Sequence, residues 1–238
     1  VLLNRDQFAP AYLKLNPKAQ VPTLVHDGNV IRESSIICDY IDDLKTDYPL
    51  KPSDLADRSL LREWIKDSDE SGYQATASLN FVTKFRLEIP IEKMEQRWKS
   101  VTDIERLHRQ QSCVYDGMDS PYVLRAIGAW ERIFEKMEKT LKDGRPWIMG
   151  DQFTLVETTC APFIKVLEML RLLDLWIDGR PNVKNWWERI SGRESLKALE
   201  EYPGQGIDEN APHAKAGLIV VDKVKELINT YRQSFPMV

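Results

Sequence analysis

The chain has 238 residues and a mass of 27.6 kDa, with 42% hydrophobic and 29% charged side chains, a formal net charge of −4 and a pI near 5.6. That length allows one large domain or two modest ones, and the charge excludes the basic surface that nucleic-acid binding needs. No apolar run approaches the ~20 residues that span a bilayer, no charged-then-apolar leader opens the chain, and Cys38, Cys113 and Cys160 are spaced too widely for a disulfide framework or a zinc site. The expectation is an acidic, soluble, cytoplasmic protein with no metal and neither a membrane nor a nucleic-acid partner.

"VLLN" at Val1 to Asn4 is strand-like from the first residue, so its sheet partners are expected from later residues or from segments outside this sequence. In "QFAPAYLKLNP", Pro10 suits the first turn of a helix and Asn16-Pro17 its stop. "TLVH" (Thr23 to His26) and "VIR" (Val30 to Arg32) read as strands joined through Asp27-Gly28 and Asn29, a tight hairpin signal. "SSIICDYIDDL" follows, with Ile36, Ile37, Tyr40, Ile41 and Leu44 at helical spacings of three and four. "KTDYPLKPSD" (Lys45 to Asp54) is a linker by composition.

Beyond the linker no strand pattern is convincing. Leu61, Trp64, Ile65, Ser68, Gly72, Ala75 and Leu79 make one helical face. A polar stretch from Glu88 to Ser120 reads as partly helical, with a break at "YDGMDSP". Ile127, Trp130, Ile133, Phe134, Met137 and Leu141 make a second stripe, and Thr154 to Leu173 is apolar enough for a central buried helix. Thr154 and Glu157 have capping-box spacing, with Phe153 as the staple residue. "PNVKNWWERISGR" starts a short helix at Pro181, with one of Trp186 and Trp187 expected in the core. A polar tail with Pro203, Gly204, Gly206 and Pro212 leads to a last helix over about 214–231. The architecture is a small α/β module, a linker and an all-α domain.

"NPKAQVPTLV…GNVIRESSII", a linker, and then a helical domain with "GDQFTLVETTCAPFI" and "PNVKNWWERI" together resemble a glutathione transferase. Within that family the length pattern is most similar to the bacterial lignin β-etherases, which cleave β-aryl ethers with glutathione. The resemblance implies a thioredoxin-like glutathione-binding module over residues 1–46, lacking its first strand and helix here, a linker over 47–54, and an all-α helical-bundle domain over 55–238. It also implies a homodimer.

The same resemblance assigns a ligand site. Pro22 matches the family's cis proline, which turns the backbone of Val21 outward to pair with the peptide of glutathione, much as a strand adds to an open edge. Glu33 and Ser34 match the pair that grips the γ-glutamyl end. Ser34 lies at a helix N-terminus, where free N–H groups and the dipole favour a carboxylate, and Glu33 suits the ligand's ammonium group. Gln20 and Gln7 match positions that contact glutathione through side chain or backbone. The Ser, Tyr or Cys that activates the sulfur lies, in the family, on elements expected upstream of Val1, so no residue here takes the catalytic role. An intact mass well above 27.6 kDa is the expected sign of such residues.

Of Trp64, Tyr73, Phe81, Phe85 and Trp98, where the helical domain would face the module, two are expected to line a pocket for an apolar aromatic electrophile. Cys38 reads as a small buried hydrophobe. Cys113, in a polar segment, is open to reaction by position, although nothing near it argues for a lowered pKa.

Three functions compete. An enzyme would hold glutathione and direct its thiolate at an electrophilic carbon, in the etherase case displacing an aryloxide from the carbon beside a ketone. A cysteine-type site would make a thiol reductase. A non-catalytic scaffold with the same fold would have no need of Val21, Glu33 and Ser34.

Overall fold

Asp27 and Gly28 carry φ of 49° and 78°, the left-handed pair that a two-residue hairpin demands. In this computed structural model, which describes residues 6–44, 47–198 and 211–235, they join β1 (Thr23–His26) to β2 (Asn29–Arg32). The strands pair antiparallel, with Thr23 opposite Arg32 and His26 opposite Asn29. A 3₁₀ turn (Asp6–Phe8) and α1 (Pro10–Leu15) precede the hairpin, and α2 (Ser34–Asp43) follows it. The "VLLN" strand and Pro203, Gly204 and Gly206 of the tail lie outside the described residues.

Of the apolar stripe predicted on α2, the helix buries Ile37 and half-buries Tyr40 but leaves the other three exposed. Ile36, Ile41 and Leu44 are 55%, 50% and 40% exposed, while Ser35 and Ile37 are buried. The helix is rotated so that polar groups tie it to neighbouring segments. Ser35 donates its hydroxyl to Asp69, and Asp42 accepts the Leu50 N–H at 2.7 Å. The segment after α2 is pinned as well: Lys51 Nζ sits 2.6 Å from Asp43 and 3.1 Å from Asp39, and the Leu50 carbonyl accepts the Leu155 N–H at 3.1 Å.

The helical part begins with a run broken only by π-helical turns. It comprises α3 (Leu55–Asp67), a π turn (Ser68–Gly72), α4 (Tyr73–Asn80), a second π turn (Phe81–Phe85) and α5 (Arg86–Glu88). Asp54 starts it by accepting the N–H groups of Ala56 and Asp57 at 2.8 and 3.0 Å, a standard N-cap. The predicted polar stretch divides into α6 (Ile91–Trp98) and α7 (Ile104–Tyr115). Next come α8 (Pro121–Thr140), α9 (Leu155–Met169), α10 (Asp174–Ile177), α11 (Pro181–Ser191), α12 (Glu194–Lys197) and α13 (Pro212–Ser234).

The core collects around α8 and α9, where Trp130, Phe134, Ile127 and Met137 of α8 are buried. Both Trp186 and Trp187 are buried, at 0% and 5% exposure, where one was expected. The Trp187 indole N–H donates to Glu168 at 2.8 Å, which lets a second ring be buried with its polar atom satisfied. Thr154 and Glu157 form the predicted capping box. The carboxylate accepts the Thr154 N–H at 3.0 Å, the Thr154 hydroxyl accepts the Val156 N–H at 3.3 Å, and the other carboxylate oxygen takes the Ile148 N–H at 2.7 Å. Phe153 packs edge-to-face on Trp147, with ring centres 5.2 Å apart.

Two contacts lock α13 down. Glu131, fully buried on α8, receives Arg180 at 3.0 Å and the Nε and Nη2 of Arg232, each at 2.9 Å. Gly217 lies so close to the Leu170 carbonyl that a Cβ there would sit 1.7 Å from its oxygen.

Candidate glutathione site in the interdomain cleft

The loop ahead of β1 is built around Asn16 and Tyr12. Asn16 Nδ2 donates to the Gln20 carbonyl at 2.9 Å, and the Tyr12 hydroxyl donates to the same oxygen at 2.5 Å. Arg32 closes the loop from behind, donating to the Leu15 carbonyl at 2.6 Å. On this frame the Val21–Pro22 peptide bond is cis. Val21 is 43% exposed, and its backbone has no hydrogen-bond partner among the described residues. Gln20 borders the cleft, but its carbonyl is already occupied, which leaves the side chain for a ligand. Gln7 is elsewhere. It is 1% exposed, and its amide has no partner among the described residues.

Glu33 stands at the mouth of α2 with φ 67° and ψ 124°, a conformation rare for a residue with a Cβ and often associated with functional sites. Its carboxylate meets Lys18 Nζ at 2.7 Å. Ser34 is the first residue of α2, and it borders the cleft together with Ser35 and Ile36, at the end of the helix that carries partial positive charge. Across from them Asp69, on the first π turn, accepts the Ser35 hydroxyl. Burial pushes the Asp69 carboxyl above the usual carboxylate range against the pull of the Ser35 bond, and the nearby charges of Glu33 and Glu70 push the same way. The site therefore offers two carboxylates and a helix N-terminus side by side, a fitting pair for the ammonium and carboxylate of one amino-acid end group.

These residues share a cleft of about 500 Å³ with Tyr73, Phe81, Phe85, Phe163 and Val166 of the helical domain. Tyr73 and Phe163 approach to 6.0 Å, and Phe81 stacks on Phe85 at 4.4 Å. Three of the five aromatic candidates thus line it, where two were expected. Trp64 borders a separate cavity of about 260 Å³ beneath Lys136. Trp98 stands behind the cleft wall, its indole N–H holding Gln110 at 3.2 Å.

Sequence reasoning missed Asp69 and the arginines of α7. Asp69 enters the site only because a π turn carries it toward α2, and no local pattern announces that. Arg106 and Arg109 are 8% and 5% exposed; in the polar stretch "ERLHRQQ" nothing local marks either of them for burial. Cys113 is a correction. It is fully buried, and burial raises its thiol, so the polar segment does not expose it. Burial, and then the charge of Asp69, raises half-buried Cys38, and Cys160 is pushed up to about 12 by burial. No cysteine lines the cleft among the described residues.

Residues 1–44 match the family "Glutathione S-transferase, N-terminal domain", and residues 104–194 match "Glutathione S-transferase, C-terminal domain". The chain belongs to the glutathione transferase superfamily. Glutathione is the cosubstrate of that family. Among curated relatives, the tetrachloro-p-hydroquinone reductive dehalogenase of Sphingobium chlorophenolicum is 23% identical over 209 residues, covering 83% of this chain and 82% of that one. Protein LigF of Sphingobium sp. SYK-6 is 40% identical over 67 residues, 27% of this chain and 26% of that one. The crystal structure of the β-etherase LigF from the same strain superposes with a TM-score of 0.69 at 21% identity, covering 83% and 84% of the two chains. No helix among the described residues is long and apolar enough to cross a membrane, and no group of three or more potential metal ligands occurs among them.

Proposed function

We propose that this glutathione transferase binds glutathione along Val21, places the γ-glutamyl group against Glu33, Ser34 and Asp69, and presents the thiol to an apolar aromatic electrophile resting on Tyr73, Phe81 and Phe85. The observation that carries this reading is the convergence on one cleft of an unpaired strand-like backbone, an amino-acid-sized set of charges and an aromatic wall. The peptide backbone of glutathione would add to Val21 as a short antiparallel partner. Its ammonium would be flanked by Glu33 and Asp69, and its α-carboxylate would lie over the start of α2. The protein's contribution is to hold nucleophile and electrophile in register, which removes the entropy of bringing them together.

The finer reading is β-aryl ether cleavage: the thiolate attacks the carbon beside a ketone, the C–S bond forms, and the C–O bond breaks to release a phenolate. Two features support it, the aromatic wall and the likeness to LigF. Incubation of the full-length protein with glutathione and a β-aryl ether ketone tests it. Equal amounts of phenol and glutathione thioether are expected. Formation of glutathione disulfide in place of thioether would sink the etherase reading and favour reductive chemistry like that named for the dehalogenase relative.

Two alternatives fare less well. A cysteine-type thiol reductase would need its cysteine on the elements expected upstream of Val1, because the thiols of Cys38, Cys113 and Cys160 are raised and none of them borders the cleft. A scaffold would leave the charge set at Glu33, Ser34 and Asp69 without purpose. A homodimer belongs to the same reading, and light scattering tests it.

A further inference from the structure

Arg109 is 5% exposed, and among the described residues nothing accepts a hydrogen bond from its guanidinium or pairs with its charge. An unpaired buried cation is expensive, and such groups are normally matched by an opposite charge. The guanidinium borders a pocket of about 560 Å³ that also takes in Lys18, Arg106, Asp103 and Glu105, and that shares Gln20, Tyr73 and Arg106 with the glutathione cleft. Most of the other charged side chains of that pocket already have partners. Lys18 pairs with Glu33, and Asp103 accepts the Arg106 N–H at 2.9 Å; Glu105, one turn before Arg109 on the same helix, borders the pocket without forming an ion pair with that arginine. Arg106 spends one arm on the Lys18 carbonyl at 3.1 Å, which fixes its position at the rim. On the far side of Arg109 a smaller hollow carries Arg125, Arg132 and Glu70, which adds more positive than negative charge.

We propose that this pocket is a carboxylate subsite, in which an anionic group of a ligand seated in the cleft pairs with Arg109 and is steadied by Arg106. The forked guanidinium suits a planar carboxylate, which it can meet with two parallel hydrogen bonds. The group can come from an acidic substituent on the electrophile or from the glycyl end of glutathione. The subsite's relation to glutathione rests on the preceding proposal; the unpaired charge of Arg109 does not.

Benzoate and benzamide, alike in ring and size and different in charge, are the probes. Each is titrated calorimetrically into the full-length protein and its Arg109→Met and Arg109→Lys variants, with and without saturating glutathione. The wild type is expected to bind benzoate and to discriminate against benzamide. Arg109→Met is expected to lose roughly tenfold or more of the benzoate affinity, and Arg109→Lys to retain part of it. Arg109→Met is also expected to melt no lower than the wild type, because it removes an uncompensated charge while keeping an apolar stem of similar length. Undiminished benzoate binding in the presence of glutathione assigns the subsite to the second substrate. Competition between the two, with Arg109→Met erasing the affinity difference between glutathione and γ-glutamylcysteine, assigns it to the glycyl carboxylate.

Equal binding of benzoate and benzamide, or no binding of either, overturns the proposal. So does an Arg109→Met variant that melts lower and dissociates, since the charge would then be paired across a subunit contact. If glutathione itself fails to bind while benzoate binds through Arg109, the preceding proposal falls and this one stands.

Discussion

The Ser35 hydroxyl donates to the Asp69 carboxylate across 34 residues of sequence, joining the first turn of α2 to the first π turn of the helical domain. The bond fixes the width of the cleft at the point where Glu33 and Ser34 face it. It also leaves Asp69 as a second carboxylate beside Glu33, raised by burial and by the charges of Glu33 and Glu70. In the unfolded chain Asp69 titrates at its ordinary value, so the folded state holds this proton more tightly. The stability that proton contributes is fully present below the unfolded value and is lost as pH rises through the folded one.

Asp69→Asn separates the two roles. Asparagine can still accept the Ser35 hydroxyl, and it removes repulsion with Glu33, so the variant is expected to be at least as stable as the wild type at pH 7. Glutathione affinity should fall about tenfold, the scale of one hydrogen bond to a charged group. In the wild type, affinity should rise with pH as Asp69 ionises, and the variant should lose that slope. Calorimetric titrations across the acidic range check it, and an unchanged slope in Asp69→Asn would remove Asp69 from the site.

Glu33 supplies a second test, because its φ of 67° is strained for any residue with a Cβ. The strain is on the order of 1–3 kcal/mol, while the exposed ion pair with Lys18 contributes ~1 kcal/mol or less. Glu33→Gly is therefore expected to match or exceed the wild type in thermal midpoint while losing glutathione affinity. A lower midpoint with affinity retained would mark Glu33 as a structural residue.

The capping box of α9 carries no chemistry and should behave accordingly. Thr154→Ala is expected to cost about 1 kcal/mol. Glu157→Ala should cost more, about 2–3 kcal/mol, because it also strands the buried N–H of Ile148. Urea unfolding measures both, and glutathione affinity measured well below the transition should not change.

Helix α13 is held by one charge cluster and one close approach. Glu131→Ala would leave Arg180 without its buried carboxylate and free the Nε and Nη2 of Arg232, an expected loss of about 3–5 kcal/mol. Gly217→Ala would drive a methyl group into the Leu170 carbonyl, forcing the helix away at a cost of about 1–3 kcal/mol or more. Proteolysis that releases a fragment from the C-terminal end in either variant, and not in the wild type, is the expected signature.

How far the sequence alone carries the account depends on whether a residue's role is local. The hairpin at Asp27-Gly28, the cap at Thr154-Glu157 and the stripe of α8 depend on neighbours within a few positions, and each formed as read. The stripe on α2 held only in part, because that helix shares its inner face between Ile37 and the polar Ser35 and Asp42, whose partners lie outside the helix. Asp69 and Arg109 were illegible for the same reason. Their significance comes from what they face, or fail to face, after the chain has folded.

The most direct test of the central claim is a calorimetric titration of glutathione into the full-length protein, beside the Glu33→Gly, Ser34→Ala double variant. Saturable binding at one site per chain, abolished in a double variant that remains folded, is the result predicted here. Equal binding by both proteins would place glutathione somewhere other than the cleft beside Val21, and would contradict the account.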